Sequence, residues 1–89
     1  MIDYIWVIDT GHAWLRVPLS DDNLEGINIS NYSHVDSRYV YLDRNLDAGN
    51  FLQAYVNKHR SRPKIVKRIV SYPAYVRKLR RCAQQLELL

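Results

Sequence analysis

Eighty-nine residues, 47% hydrophobic and 25% charged, describe one globular domain of ordinary composition, 1–89, too small to bury a large core. The single cysteine, Cys82, excludes a disulfide within the chain and fits a reducing compartment. The net charge of +4 conceals a polarity: residues 1–57 hold eight acidic side chains against three arginines, and residues 58–89 hold ten Lys or Arg against Glu87 alone.

Residues 2–8 predict an inner strand, because Ile2, Tyr4, Trp6 and Ile8 fall on one face while Ile5 and Val7 make the other apolar too. Asp9-Thr10-Gly11-His12 is turn chemistry, residues 13–17 return as a strand, and Pro18 ends it. Ser20-Asp21-Asp22 predicts a short helix with a hydroxyl cap and carboxylates at its positive end, stopped by Gly26. Residues 27–35 and 38–42 predict a second hairpin around Asp36-Ser37. Asp47 is read as the cap of a second helix, with Ala48, Phe51, Leu52, Tyr55, Val56 and His59 as its buried stripe. Arg60-Ser61-Arg62-Pro63 breaks the chain. Residues 64–70 are rich in Ile and Val but interrupted by Lys67 and Arg68, which predicts an edge strand. Ser71 is read as the cap of a third helix, with Pro73 in its first turn and the stripe Tyr72, Tyr75, Val76, Leu79, Cys82, Ala83 and Leu86. The order ββαββα(β)α gives an α+β domain: a mostly antiparallel sheet of four to five strands with helices packed on one face. No long apolar run and no positively charged leader is present at Met1-Ile2-Asp3, so a soluble cytoplasmic protein without membrane contact is expected.

Several stretches carry a resemblance: Asp9-Thr10-Gly11-His12-Ala13-Trp14-Leu15-Arg16-Val17-Pro18, Ile29-Ser30-Asn31-Tyr32-Ser33, Val40-Tyr41-Leu42 and Asp47-Ala48. They resemble a family of short proteins encoded on phages, prophages and plasmids. That family has a Gly-His-Gly-Trp-Leu-x-Val-Pro stretch, a Ser-x-Tyr-Ser stretch, and a Tyr-Leu-Glu-Glu-Asp-Cys-Asp-Ala stretch before a helix. Ala13 stands here for the second glycine, and Asp43-Arg44-Asn45-Leu46 for Glu-Glu-Asp-Cys. The resemblance implies a mobile-element origin and a bacterial host cell. By setting alone, it implies an anti-CRISPR-like inhibitor that occupies a surface of a host defence complex.

The leading candidate for partner binding is the basic C-terminal region 58–89 with its amphipathic helix: Lys58, Arg60, Arg62, Lys64, Lys67, Arg68, Arg77, Lys78, Arg80 and Arg81. Such a charge density suits an acidic groove on a host protein or nucleoprotein complex, or the phosphates of nucleic acid. A solvated helix face is the plainer alternative. His12, Trp14 and Arg16 alternate onto one strand face, where an aromatic beside a cation suits base or peptide recognition, though packing under a helix explains Trp14 as well. Tyr39 and Tyr41, with Tyr32, offer either a partner surface or cross-strand packing. No metal spacing, cofactor motif or nucleophile–base arrangement is recognisable among His12, His34, His59 and Cys82, so no enzyme is expected. Three functions remain in order: the defence inhibitor, a direct nucleic-acid binder of low specificity, and a small basic ribonuclease toxin. A monomer is favoured, with a dimer through the third-helix stripe left open.

Overall fold

A computed structural model describes residues 4–82 of the chain. In chain order it contains Tyr4–Ile8 (β1), Ala13–Pro18 (β2), His34–Val35 (β3), Tyr39–Asp43 (β4), Asp47–His59 (α1), Ile65–Ile69 (β5) and Arg80–Arg81 (β6). Short 3-10 turns occupy Asp22–Leu24 and Tyr75–Lys78. The strands form one six-stranded sheet in the order β5-β1-β2-β4-β3-β6. The fold is α+β, but the sheet is larger than four or five strands and it is mixed: β5 runs parallel to β1, and the other pairings are antiparallel. Among the described residues there is one α-helix, on one face of the sheet, and it is not long and apolar enough to cross a membrane.

The alternation read in β1 places its residues on two different cores. Tyr4 and Trp6 join Leu15, Val17, Val40, Leu42, Ala48 and Phe51 on the helix side. Ile5 and Val7 join Trp14, Tyr41, Ala74 and Val76 on the other. Burial on both faces is what the unbroken apolar run of a central strand requires. The α1 stripe docks through Phe51, which is fully buried with its ring edge-on to Tyr4 at 5.3 Å, while Leu52 and Tyr55 pack beside it. β5 lies at the sheet edge, as Lys67 and Arg68 predict, and both are exposed.

Four expectations change. The helix expected from Ser20 is a single 3-10 turn, capped by the Asp21 carboxylate on the Asn23 N–H. Of residues 27–35 only His34–Val35 pair as strand, because Ser30 and Ser33 turn inward to a carboxylate. That carboxylate belongs to Asp47. It occupies the first helical position rather than the cap, is buried, and accepts from the Ser30 N–H (3.0 Å), the Ser30 hydroxyl (2.7 Å) and the Ser33 hydroxyl. The third helix is not formed between residues 71 and 82. After a cis Tyr72–Pro73 bond the chain makes one 3-10 turn and then pairs with β3 as β6. Ala74 and Val76 are buried against Trp14 and Tyr41, so this segment covers the sheet face that α1 leaves open. Leu79 packs against the same core, which removes the helical stripe on which a dimer was considered. Ala83 and Leu86, the last residues of that stripe, lie outside the described residues.

Candidate functional site

Strand register gathers polar side chains at one end of the face opposite α1. Trp14 of β2 stands across from Asp43 of β4, and His34 of β3 stands across from Tyr41 on one side and Arg81 of β6 on the other. Side chains paired this way share a face. The β1–β2 turn adds Gly11 and His12, and the covering segment adds Arg77 and Leu79. With Tyr32 at the rim they line a cleft of about 480 Å³.

The wall of the cleft is set by Asp9. Its side chain is fully buried, and Oδ1 accepts the N–H groups of Gly11 and His12, both at 2.9 Å. Oδ2 accepts the Ala74 N–H at 3.0 Å and Arg77 Nε at 2.7 Å, while Arg77 Nη2 reaches Oδ1 at 3.0 Å. The Arg77 guanidinium holds this carboxyl well below the usual range, against the opposing effect of burial and with help from the three backbone N–H groups. Gly11 lets the guanidinium approach, since a Cβ there would lie 2.9 Å from Arg77 Nη2. Arg77 also stacks over Tyr72 (4.9 Å) and Trp14 (5.3 Å). A guanidinium has five N–H donors and Asp9 takes two of them, so Arg77 keeps donors for a ligand.

Two imidazoles face the same space. His12 Nε2 meets Asp43 Oδ1 at 2.5 Å, and His34 Nδ1 donates to the Leu79 carbonyl at 3.0 Å. Both rings stand edge-on to the Trp14 indole, at 4.9 and 6.2 Å between centroids. Among the described residues no buried side-chain nitrogen or oxygen lacks a hydrogen-bond partner. The other ring nitrogens, His12 Nδ1 and His34 Nε2, have no protein partner among the described residues, and both rings line the cleft. Arg81 has no carboxylate partner among the described residues. No group of three or more His, Cys, Asp or Glu side chains able to hold a metal ion occurs among those residues either.

The basic residues expected to act together are separated. Lys64, Lys67 and Arg68 lie at or beside β5, Lys58 is in the last turn of α1, and Arg60 and Arg62 lie between them. Arg80 and Arg81 form β6, on the opposite edge of the sheet, roughly 24 Å away for strands about 4.8 Å apart. Arg77 and Lys78 lie in the 3-10 turn on the sheet face, and Arg77 is committed to Asp9. The second candidate surface also divides. Trp14 is only 3% exposed and forms the floor of the cleft, where it cannot stack on a ligand. Arg16 lies over the Tyr39 ring at 4.2 Å, away from the cleft, and Tyr41 is buried with its hydroxyl bonded to Tyr75 and Asp36. Burial, together with the Tyr75 hydroxyl, pushes the Tyr41 phenol far above its ordinary value.

Reading the sequence alone missed His34, Asp43 and Asp9. Its three histidines look scattered, yet two of them meet in the cleft, while His59 bonds Asn23 on the helix side. The one signal available was Asp9-x-Gly-His, in which an aspartate reaches the N–H groups two and three residues ahead. No protein-family model, no curated protein and no solved structure matches the chain. The cleft draws on separated stretches of the chain: Gly11, His12 and Trp14 from the first hairpin, Tyr32 and His34 before and in β3, and Asp43 at the end of β4.

Proposed function

We propose that the protein binds single-stranded nucleic acid, with this cleft holding a phosphate and its neighbouring base. The observation that carries the reading is the convergence of Arg77, Arg81, His12 and His34 on one open polar cleft with Tyr32 at its rim. Asp9 is met by Arg77, so Arg81 and the outer donors of Arg77 are the cationic groups left to meet a phosphate. Tyr32 is 61% exposed and supplies the stacking surface that Trp14 does not. Lys78 is exposed and follows Arg77 in the chain, which extends the phosphate path; Arg80 pairs with Val35 and falls on the opposite face of the sheet. Each phosphate neutralised on a single strand adds about 0.7 to the salt slope, so three cations imply roughly a 20-fold loss of affinity from ~50 to ~200 mM salt. Fluorescence anisotropy with labelled single-stranded oligonucleotides measures this. Arg81→Glu should reduce affinity at least tenfold. Absence of a complex at low salt refutes the reading.

A second reading, a mobile-element inhibitor that covers a surface of a host defence complex, is favoured by the exposed aromatics Tyr32, Tyr72 and Tyr75. It would act through this patch rather than through a basic helix. Its test is capture of a host protein after nuclease treatment, lost on Tyr32→Ala with Tyr72→Ala. Recovery of nucleic acid alone sinks it. Reversing Arg77 to Glu is unsuitable for this purpose, because it sets a second carboxylate against buried Asp9.

A further inference from the structure

We infer that the cleft is built to cleave RNA, with His34 as general base and His12 as general acid; this rests on the nucleic-acid reading above. The assignment comes from what each ring already touches. His34 Nδ1–H is fixed on the Leu79 carbonyl, so the neutral ring presents the Nε2 lone pair to the cleft. A ring held in that tautomer accepts a proton. His12 is held through Nε2 by the Asp43 carboxylate. When this ring carries a second proton, on Nδ1, its charge sits against that carboxylate and the proton faces the cleft. A ring so placed gives a proton away. The two rings pack on one indole, and Arg81 with the remaining donors of Arg77 lines the same cleft, where they can meet phosphoryl oxygens.

The chemistry balances without a co-reactant. His34 Nε2 takes the proton of a ribose 2′-hydroxyl, and the 2′-oxygen bonds to the adjacent phosphorus. The bond from phosphorus to the 5′-oxygen breaks, and that oxygen takes the Nδ1 proton of His12. The products are a 2′,3′-cyclic phosphate and a 5′-hydroxyl end. The two rings then hold each other's starting protonation state, and exchange with water restores them. DNA, lacking the 2′-hydroxyl, binds and is not cut.

The test uses the whole chain with a labelled single-stranded RNA and its 2′-deoxy counterpart, with EDTA present to silence contaminating metal-dependent nucleases. Two substitutions delete one ring nitrogen while keeping the anchoring donor. His34→Asn retains a donor near the Nδ1 position for the Leu79 carbonyl, and His12→Gln retains one near Nε2 for Asp43. Each should slow cleavage at least ~100-fold, the lower bound for loss of a general acid or base, in single-turnover reactions at saturating protein, where a change in affinity no longer enters the rate. Cyclic-phosphate ends should appear in the wild-type digest. Binding of the deoxy strand with the RNA left intact overturns the cleavage inference and leaves the binding reading standing. Equal cleavage by wild type and both variants marks a contaminant and overturns the inference too. Failure to bind either strand overturns both.

Discussion

Replacing Asp9 by Asn tests whether one carboxylate ties the covering segment to the first hairpin. The carboxylate accepts five hydrogen bonds, from Gly11 N, His12 N, Ala74 N and two nitrogens of Arg77. An asparagine offers one oxygen, and its NH2 group then faces donors whichever way it turns. With the oxygen toward the turn, the bonds to Ala74 N and Arg77 Nε are lost. Bonds to a charged group contribute about 1.5–3 kcal/mol each. Arg77 is one-third exposed, so solvent screening puts its share at the low end. We therefore expect a loss of about 3 kcal/mol, against a total of roughly 4–13 kcal/mol for a domain of this length. With a urea m-value near 1 kcal/mol/M the midpoint falls by about 3 M. A midpoint shift below about 1 M would refute the reasoning. The pH dependence carries the same information. The folded pKa of Asp9 is depressed, so its stabilisation is present above the unfolded carboxylate value of about 3.9 and is lost as pH falls from there through the folded value. Stability of the wild type should therefore drop more steeply below about pH 4 than that of the variant.

Phe51→Ala, at the centre of the helix-side core, should cost about 3–5 kcal/mol in the same urea assay. Arg60 ends α1 in the left-handed conformation, with φ at 60°, so Arg60→Gly should raise stability by up to about 1 kcal/mol. Burial pushes the Cys82 thiol up to about 11, so iodoacetamide at pH 8 should alkylate it about 100-fold more slowly than in the urea-unfolded chain. Equal rates would show that the thiol is open to solvent.

The legible parts of the sequence were those where one local pattern had one physical outlet. An apolar run on both faces suits an inner strand, and β1 lies between β5 and β2. The spacing of Ala48, Phe51, Leu52 and Tyr55 had a core to meet. Residues 71–82 carry equally regular helical spacing and yet do not form the helix. There Asp9 captures the Ala74 N–H and Arg77, and the exposed Trp14–Tyr41 face is covered only if the chain lies flat across it. That competition is long-range, and no window of a dozen residues contains it. The cleft was illegible for the same reason. His12, His34, Asp43 and Arg81 become neighbours through strand register, which depends on a β6 strand that the helical pattern concealed.

Both outermost strands, β5 and β6, come from residues 65–81, and the chain between them crosses a whole face of the sheet. During synthesis the first hairpin and α1 leave the ribosome with Trp14 and Tyr41 still uncovered. The second core closes only once Val76 has emerged, and the His34 strand gains its outer neighbour only after Arg81. A nascent chain of this protein is therefore a half-shielded sheet until residues 74–81 are made, which makes that interval the one in which chaperones or self-association would act on it.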